Sequence, residues 1–220
     1  MENQSYNIPV TCQVKDLNNI YLKYFGYKTD GFFVDVGAFD GVQHSNTWGL
    51  ACAGWQGICY EPIDSIYRQC NTNHAGHDVL VINSCVGNEI GVKDFYIAGV
   101  LSTYNDDYLN SEFWKNEYRG AIKTQVHITT LNDSLVHNKI KIVKPNFELL
   151  SIDVEGAESD VLRGFNIDYW QPQMVIIEAQ ELHPAKELSL QAPFINKYFE
   201  DANYEKIYCD EINNIYVRKI

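Results

Sequence analysis

Four short apolar runs in this chain lead into acidic residues. Phe32 to Val36 carries Asp35 near its end, Gly57 to Tyr60 meets Glu61, Phe147 to Ile152 meets Asp153, and Met174 to Ile177 meets Glu178. A near-continuous apolar run is how a strand buried on both faces reads. Parallel strands in an open α/β sheet deliver their carboxyl ends to one edge, where ligands bind. The four acids are therefore expected to converge on one site. Carboxylates grouped in this way can accept a proton from a reacting hydroxyl, hold a divalent cation or attract a cationic ligand.

The turn after the first run narrows the ligand. Gly37-Ala38-Phe39-Asp40-Gly41 sets two glycines four apart, where a backbone can bend sharply and a ligand can approach closely. This is not the Gly-x-Gly-x-x-Gly spacing of dinucleotide enzymes. Asp35 and Asp40 suit a cationic ligand tail, whereas a pyrophosphate prefers bare backbone N–H groups. Glu61 sits where an acid grips both ribose hydroxyls of an adenosine. These features favour S-adenosylmethionine over a nicotinamide dinucleotide, so an NAD-type oxidoreductase is the weaker alternative. A non-catalytic protein that uses a cofactor fold only to bind partners is another.

The totals bound the rest. A chain of 220 residues fits one domain and buries about 70% of its unfolded surface. Its net charge of −12 argues against nucleic acid or an anionic membrane as partner, since both need basic patches. Cys12, Cys52, Cys59, Cys70, Cys85 and Cys209 form no C-x-x-C pair and read neither as a zinc framework nor as a secreted disulfide scaffold, but as reduced, mostly buried thiols of a cytosolic protein. No signal-peptide pattern opens the chain, and no apolar run approaches the ~20 residues that span a bilayer. A cytoplasmic location is the expectation.

The elements that would position the acids alternate. Apolar spacing predicts a helix over 15–25 ended by Gly26, a strand at 32–36, a helix near 45–54 and a strand at 57–62. A helix at 64–71 with Asp64 as possible N-cap and a strand over 79–86 follow, then a short strand at 92–97. Further strands are expected at 126–130, 147–153 and 174–178, with helices starting at Leu131, Glu158 and about 192. The runs 204–209 and 212–218 read as an antiparallel hairpin turning at or near Asn213-Asn214. Residues 1–30 form an N-terminal helical extension and a candidate homodimer contact. Residues 99–122, with Tyr104, Tyr108, Phe113, Trp114 and Tyr118 and a helix capped by Ser111, form an acceptor-side insertion that could close over a sugar ring or base. The fold class is α/β: a Rossmann-like, mostly parallel seven-stranded sheet with one reversed strand and helices on both faces.

Four motifs in order then carry a resemblance. Asp35-Val-Gly-Ala-Phe-Asp-Gly41, Ser45-Asn46-Thr47, Gly54-Trp-Gln-Gly-Ile-Cys-Tyr-Glu61-Pro62 and Leu150-Ser-Ile-Asp-Val-Glu-Gly-Ala-Glu158 resemble the FkbM family of S-adenosylmethionine-dependent methyltransferases. The resemblance implies a class I methyltransferase fold and O-methylation of a hydroxyl of a sugar or glycan, nucleotide-linked sugars included. A natural-product or other small-molecule hydroxyl is the alternative acceptor. By that resemblance Asp35, Gly37, Ala38 and Gly41 form the cofactor loop, with Ser45, Asn46 or Thr47 near the methionine tail. Glu61 and Pro62 meet the ribose, Ser84 and Cys85 the adenine, and Asp153 stands beside the transferring methyl with Glu155 and Glu158 near it. The family often has His-Asn after the last of these strand-end acids, where this chain has Ala179-Gln180-Glu181-Leu182-His183.

A sugar hydroxyl is a poor nucleophile until its proton is removed, so a base or metal is useful. Asp153 is the first candidate base and His183 the second, with Glu155 beside them and His44 a further candidate. Asp153, Glu178, Glu181 and His183 are the candidate ligands of Mg2+ or Mn2+. A surface histidine before Pro184 is the structural alternative for His183, and a helix-start acid that for Glu158. Lys115, Arg119 and Lys123 are the cations available to an acceptor's phosphates.

Overall fold

A computed structural model describes residues 11–12, 14–117, 120–137 and 143–219. The expectations for residues 1–10, Tyr118 and Arg119 fall outside that range. The chain runs α1 (Leu17–Phe25), β1 (Phe32–Val36), α2 (Trp48–Cys52), β2 (Gln56–Tyr60), α3 (Asp64–Asn73) and β3 (Val79–Ile82). It continues through β4 (Cys85–Gly87), β5 (Gly91–Ile97), α4 (Asp106–Asn110), α5 (Glu112–Glu117) and β6 (Ile122–Thr130). Then come α6 (Leu131–His137), β7 (Leu149–Ile152), α7 (Glu158–Arg163), α8 (Ile167–Trp170) and β8 (Met174–Glu178). A 3-10 turn at Leu188–Gln191, α9 (Ala192–Asp201), β9 (Tyr204–Cys209) and β10 (Asn213–Arg218) complete it.

Seven strands make the main sheet in the order β3-β2-β1-β7-β8-β10-β9. β3, β2, β1, β7 and β8 pair in parallel, and β10 is reversed against both β8 and β9. This is the sheet the sequence predicts. Every residue of β1, β7 and β8 is buried, because both faces are covered. Val34, Val36, Leu150, Ile152 and Ile177 pack into one layer, while Phe33, Leu149, Met174 and Ile176 pack into the other. The period-2 alternation of side chains across a strand separates the two sets. α1 lays Leu17 and Tyr21 into the second layer, so its apolar face is covered by its own chain.

Several expectations change. The strand at 79–86 breaks at Asn83, whose side-chain amide donates to the carbonyls of Glu61 at 3.0 Å and Pro62 at 3.1 Å. Beyond that break Cys85–Gly87 leaves the main sheet and joins a second one, ordered β4-β6-β5. Residues 98–121 are the connection between β5 and β6, and α4 within it was not anticipated. Asp64 is not a cap: Ile63 holds that position, and the Asp64 carboxylate pairs with Arg68 at 3.0 Å. The final hairpin turns before Asn213 and Asn214, which are buried in β10 opposite Glu178 and Ile177. Among the described residues no helix is long and apolar enough to cross a membrane.

Phe199 on α9 shows how the helices lock onto the sheet. It is fully buried, and its ring stacks on Tyr216 of β10 with centroids 4.2 Å apart. Phe199→Ala is expected to lower the unfolding free energy by about 3–5 kcal/mol, read by denaturant titration. Val92→Ala, on an exposed position of β5, is expected to change it by less than about 0.5 kcal/mol.

Candidate active site

A cavity of about 280 Å³ lies at the carboxyl edge of the parallel strands. Its floor is the turn after β1, Glu61 to Ile63 after β2, Asp153 to Glu155 after β7, and Glu178 with Gln180 at the end of β8. Its outer wall is Gly99 to Ser102, Tyr104, Tyr108 and Phe113 from the β5–β6 connection, which is the aromatic segment expected on the acceptor side. Four non-glycine residues of the lining, Phe39, His44, Glu155 and Gln180, hold left-handed φ of 50°, 58°, 53° and 47°. Strained backbone of this kind collects where a site needs side chains aimed against their local preference.

The glycine turn is fixed by its neighbours. Gly37 has φ 87°, and a Cβ there would overlap the main-chain carbonyl of Asp153. The amides of Gly37 and Ala38 both donate to the Tyr60 carbonyl at 3.1 and 3.0 Å, and the Asp153 amide donates to Val36 at 3.0 Å. Three strand ends are thereby drawn to one point. Asp40 stays outside the cavity lining; its carboxylate accepts from the amides of Val42 at 2.9 Å and Gln43 at 2.7 Å, which closes the turn.

The cofactor-side candidates divide. Asp35, Gly37, Ala38, Ser45, Asn46, Glu61, Pro62, Ser84 and Cys85 line the cavity. Gly41 and Thr47 do not, which corrects their placement as ligand contacts. Gly41 lies instead on His74 and Cys70. Thr47 is fully buried and donates its hydroxyl to Asp35 at 2.6 Å, so it orients that acid. The Ser45 hydroxyl accepts from the amides of Thr47 and Trp48 at 3.1 and 3.0 Å; Thr47 holds the N-cap position of α2, which begins later than expected. Glu61 is buried, with one oxygen accepting from the Ile63 amide at 2.7 Å.

On the acceptor side Asp153, Glu155 and Glu178 bring one oxygen each within 4.8 Å of one another. The Tyr108 hydroxyl donates to Glu155 at 2.8 Å, and the Gln180 amide donates to one oxygen of Glu178 at 2.6 Å. The other oxygen of Glu178 is buried with no hydrogen-bond partner. Glu181 is not in this group. Its carboxylate accepts from Lys206 at 2.6 Å, Asn214 at 2.9 Å and Asn196 at 3.1 Å, outside the cavity lining. His183 lines the cavity, but its Nδ1 accepts from the Ala185 amide at 3.1 Å, and it is not one of the clustered ligands. Glu158 reaches back from α7 to accept from the amides of Val154 and Gly156 at 3.0 and 3.2 Å. It shapes the loop that carries Glu155. Tyr108 and Gln180 were not foreseen as partners of the acids; no local pattern marks them.

Burial is the main reason that these acids resist ionisation. It raises Asp35 to about 6, against the opposing hydrogen bond from Thr47, and Glu61 to about 8, against the Ile63 and Phe39 amides. Glu158 is raised to about 7. Asp153 rises through burial, and Glu155 and Glu178 rise well above the usual range through burial and then the Asp153 charge. A cavity of this make-up is stabilised by a positively charged occupant.

Comparison with known proteins agrees with that geometry. The model of the Methyltransferase FkbM domain matches residues 35–206. No curated protein matches the chain. Among solved structures, a putative caffeoyl-CoA O-methyltransferase from Staphylococcus aureus is similar at 9% identity and TM-score 0.51, covering 96% of this chain and 86% of that one. A precorrin-6y C5,15-methyltransferase from Geobacter metallireducens GS-15 is 8% identical with TM-score 0.48, covering 100% and 97%. A ribosomal protein L11 methylase from Lactobacillus delbrueckii subsp. bulgaricus is 14% identical with TM-score 0.43, covering 93% and 78%. At such identity the first of these speaks for the fold alone.

Asp35, Glu61 and Glu158 hold their protons more tightly folded than unfolded, so their contribution to stability falls as pH rises towards their folded values. His74, lowered to about 4 by burial and then by His77, acts in the opposite sense below its unfolded value near 6.5. The ligand-free protein is therefore expected to lose stability steadily from about pH 6.5 to 8.5 in denaturant titrations. Glu61→Gln is expected to flatten that slope by up to about 1.4 kcal/mol per pH unit.

Proposed function

Since this chain belongs to the FkbM family of S-adenosylmethionine-dependent methyltransferases, we propose that it methylates a hydroxyl of an uncharged sugar or glycan. The observation that supports this reading is that Asp153, Glu61 and the aromatic side chains Tyr104, Tyr108 and Phe113 line one cavity.

The residues present fit the cofactor. Glu61 is a buried carboxylate facing the cavity at the end of the second strand in sequence, where it can accept from both ribose hydroxyls. Ser84 and Cys85 line the same cavity and would border the base, and Asn46, Ser45 and His44, also in the lining, would border the amino-acid tail. Five lining carboxylates, Asp35, Glu61, Asp153, Glu155 and Glu178, favour positive charge. Bound S-adenosylmethionine supplies a methyl group on a positively charged sulfur.

What the chain contributes is alignment and a proton acceptor. Holding an acceptor oxygen about 3 Å from the methyl carbon supplies much of the acceleration. Tyr104, Tyr108 and Phe113 offer ring faces for a sugar. Asp153 is placed to take the hydroxyl proton, and burial raises its basicity. Glu178 beside it, with one free buried oxygen, can share that proton. Asp153, Glu155 and Glu178, rather than Glu181 or His183, are the residues that would hold Mg2+ or Mn2+. An ion there would supply a Lewis acid that lowers the hydroxyl pKa.

The preference for an uncharged acceptor rests on the lining. No described lining residue is Lys or Arg. Lys115 donates to the Asn110 carbonyl at 2.6 Å, and Lys123 pairs with Asp94 at 2.7 Å. That speaks against nucleotide-linked sugars, whose phosphates would face carboxylates. The small-molecule alternative gains nothing from this wall over a sugar.

Transfer of labelled methyl from S-adenosylmethionine to a panel of neutral glycosides, nucleotide-linked sugars and phenolic hydroxyls tests the reading. Label is expected on neutral glycosides; label confined to the other two classes contradicts it. Asp153→Asn is expected to lower kcat by about 10²–10⁴ while leaving the cofactor Kd within about tenfold.

A further inference from the structure

A second cluster lies beneath the glycine turn, outside the cavity. Cys59 of β2, Cys70 of α3 and His74 at the end of α3 bring their ligand atoms within 4.8 Å of one another. Cys59 and Cys70 are fully buried and His74 is 2% exposed. Cys70 and His74 are four apart, so one face of α3 carries both. The Cys59 sulfur and His74 Nε2 are 3.8 Å apart. A tetrahedral ion with bonds of about 2.3 Å to sulfur and about 2.0–2.1 Å to nitrogen spaces those two atoms about 3.6 Å apart. Cys59 and His74 thus already stand near the spacing that a metal would impose, with the Cys70 sulfur within 4.8 Å of both.

We propose that Cys59, Cys70 and His74 form a binding site for one soft, thiophilic metal ion, zinc(II) or copper(I), under the cofactor turn. Two thiolates and a neutral imidazole are the donors that such ions select. With zinc the site carries no net charge, which limits the penalty of burying it. His74 presents Nε2 to the Cys59 sulfur, and its Nδ1 is buried with no hydrogen-bond partner. Binding displaces two thiol protons: M plus two R–SH gives M(SR)2 plus two H+, with no change of oxidation state.

The site would couple to the cofactor turn. A Cβ on Gly41 would stand 2.7 Å from His74 Nε2 and 2.9 Å from the Cys70 sulfur, so the turn rests directly on two of the donor atoms. Asn73, between them on α3, donates its amide to the Asp40 carbonyl at 2.8 Å. An ion would stiffen this support, which makes occupancy a means of setting the turn that bears Gly37 and Ala38. The proposal does not depend on which acceptor is methylated.

The test uses the full chain, reduced and refolded from denaturant with zinc(II), copper(I) or cobalt(II) so that burial does not block entry. One zinc or copper per chain is expected to survive dialysis against a chelator of micromolar affinity. The cobalt form is expected to show the near-ultraviolet thiolate charge-transfer absorption that the carboxylates of the cavity cannot produce. Cys70→Ser and His74→Gln are each expected to weaken retention at least tenfold, whereas Cys52→Ser, at the exposed cysteine, leaves it unchanged. Absence of thiolate absorption in the wild-type cobalt protein, or loss of retention in Cys52→Ser alone, overturns the proposal. The wild-type spectrum decides the matter even if a core variant fails to fold.

Discussion

The whole site depends on how closely Gly37 approaches the main chain at Asp153. No side chain fits between them, so β1 and β7 end at the same level. The acid after β7 is thereby carried into the crevice beside the turn after β1. Tyr60 adds the third strand by accepting from both Gly37 and Ala38, which sets Glu61 next to the same turn. Position here follows from backbone contact rather than from attraction between functional groups. Those groups, being five carboxylates, repel one another.

That repulsion has to be contained by the surrounding fold. Four of the five meet a dedicated donor: Thr47 for Asp35, the Ile63 amide for Glu61, Tyr108 for Glu155 and Gln180 for Glu178. Burial still keeps their pKa values high. Without an occupant the cavity holds protons; a positively charged occupant replaces them. The charge deficit of the pocket and the positive sulfur of the cofactor thus complement each other. Among the described residues one oxygen of Glu178 is buried without a hydrogen-bond partner.

Much of this was legible in the sequence, for identifiable reasons. Phe32–Val36 and Met174–Glu178 are strands buried on both faces, and unbroken apolar runs report that directly. Glu61 and Asp153 were readable because strand ends fix their level in the sheet. The break at Asn83 was not, since it depends on a carbonyl 22 residues away. The β5–β6 pairing spans the aromatic connection, so no local turn announces it. Glu181 stands apart from the cluster of Asp153, Glu155 and Glu178 through one backbone reversal. Gln180 adopts a left-handed φ and its amide, with that of Ala179, donates to Ile212, which sends Glu181 outward to Lys206. A left-handed φ at Glu155 accompanies its place in the cavity. Neither reversal involves a glycine at its centre, and so neither was visible.

The central claim is that a buried, acid-lined cavity at Glu61 holds a positively charged adenosyl cofactor. Calorimetric titration of S-adenosylmethionine into wild type and Glu61→Gln, at pH 6.5 and pH 8.5, tests it directly. Wild-type affinity is expected to be micromolar and to tighten at the higher pH as Glu61 ionises, with the variant weaker by at least tenfold and less dependent on pH. Equal affinity in both proteins at both pH values would contradict the account.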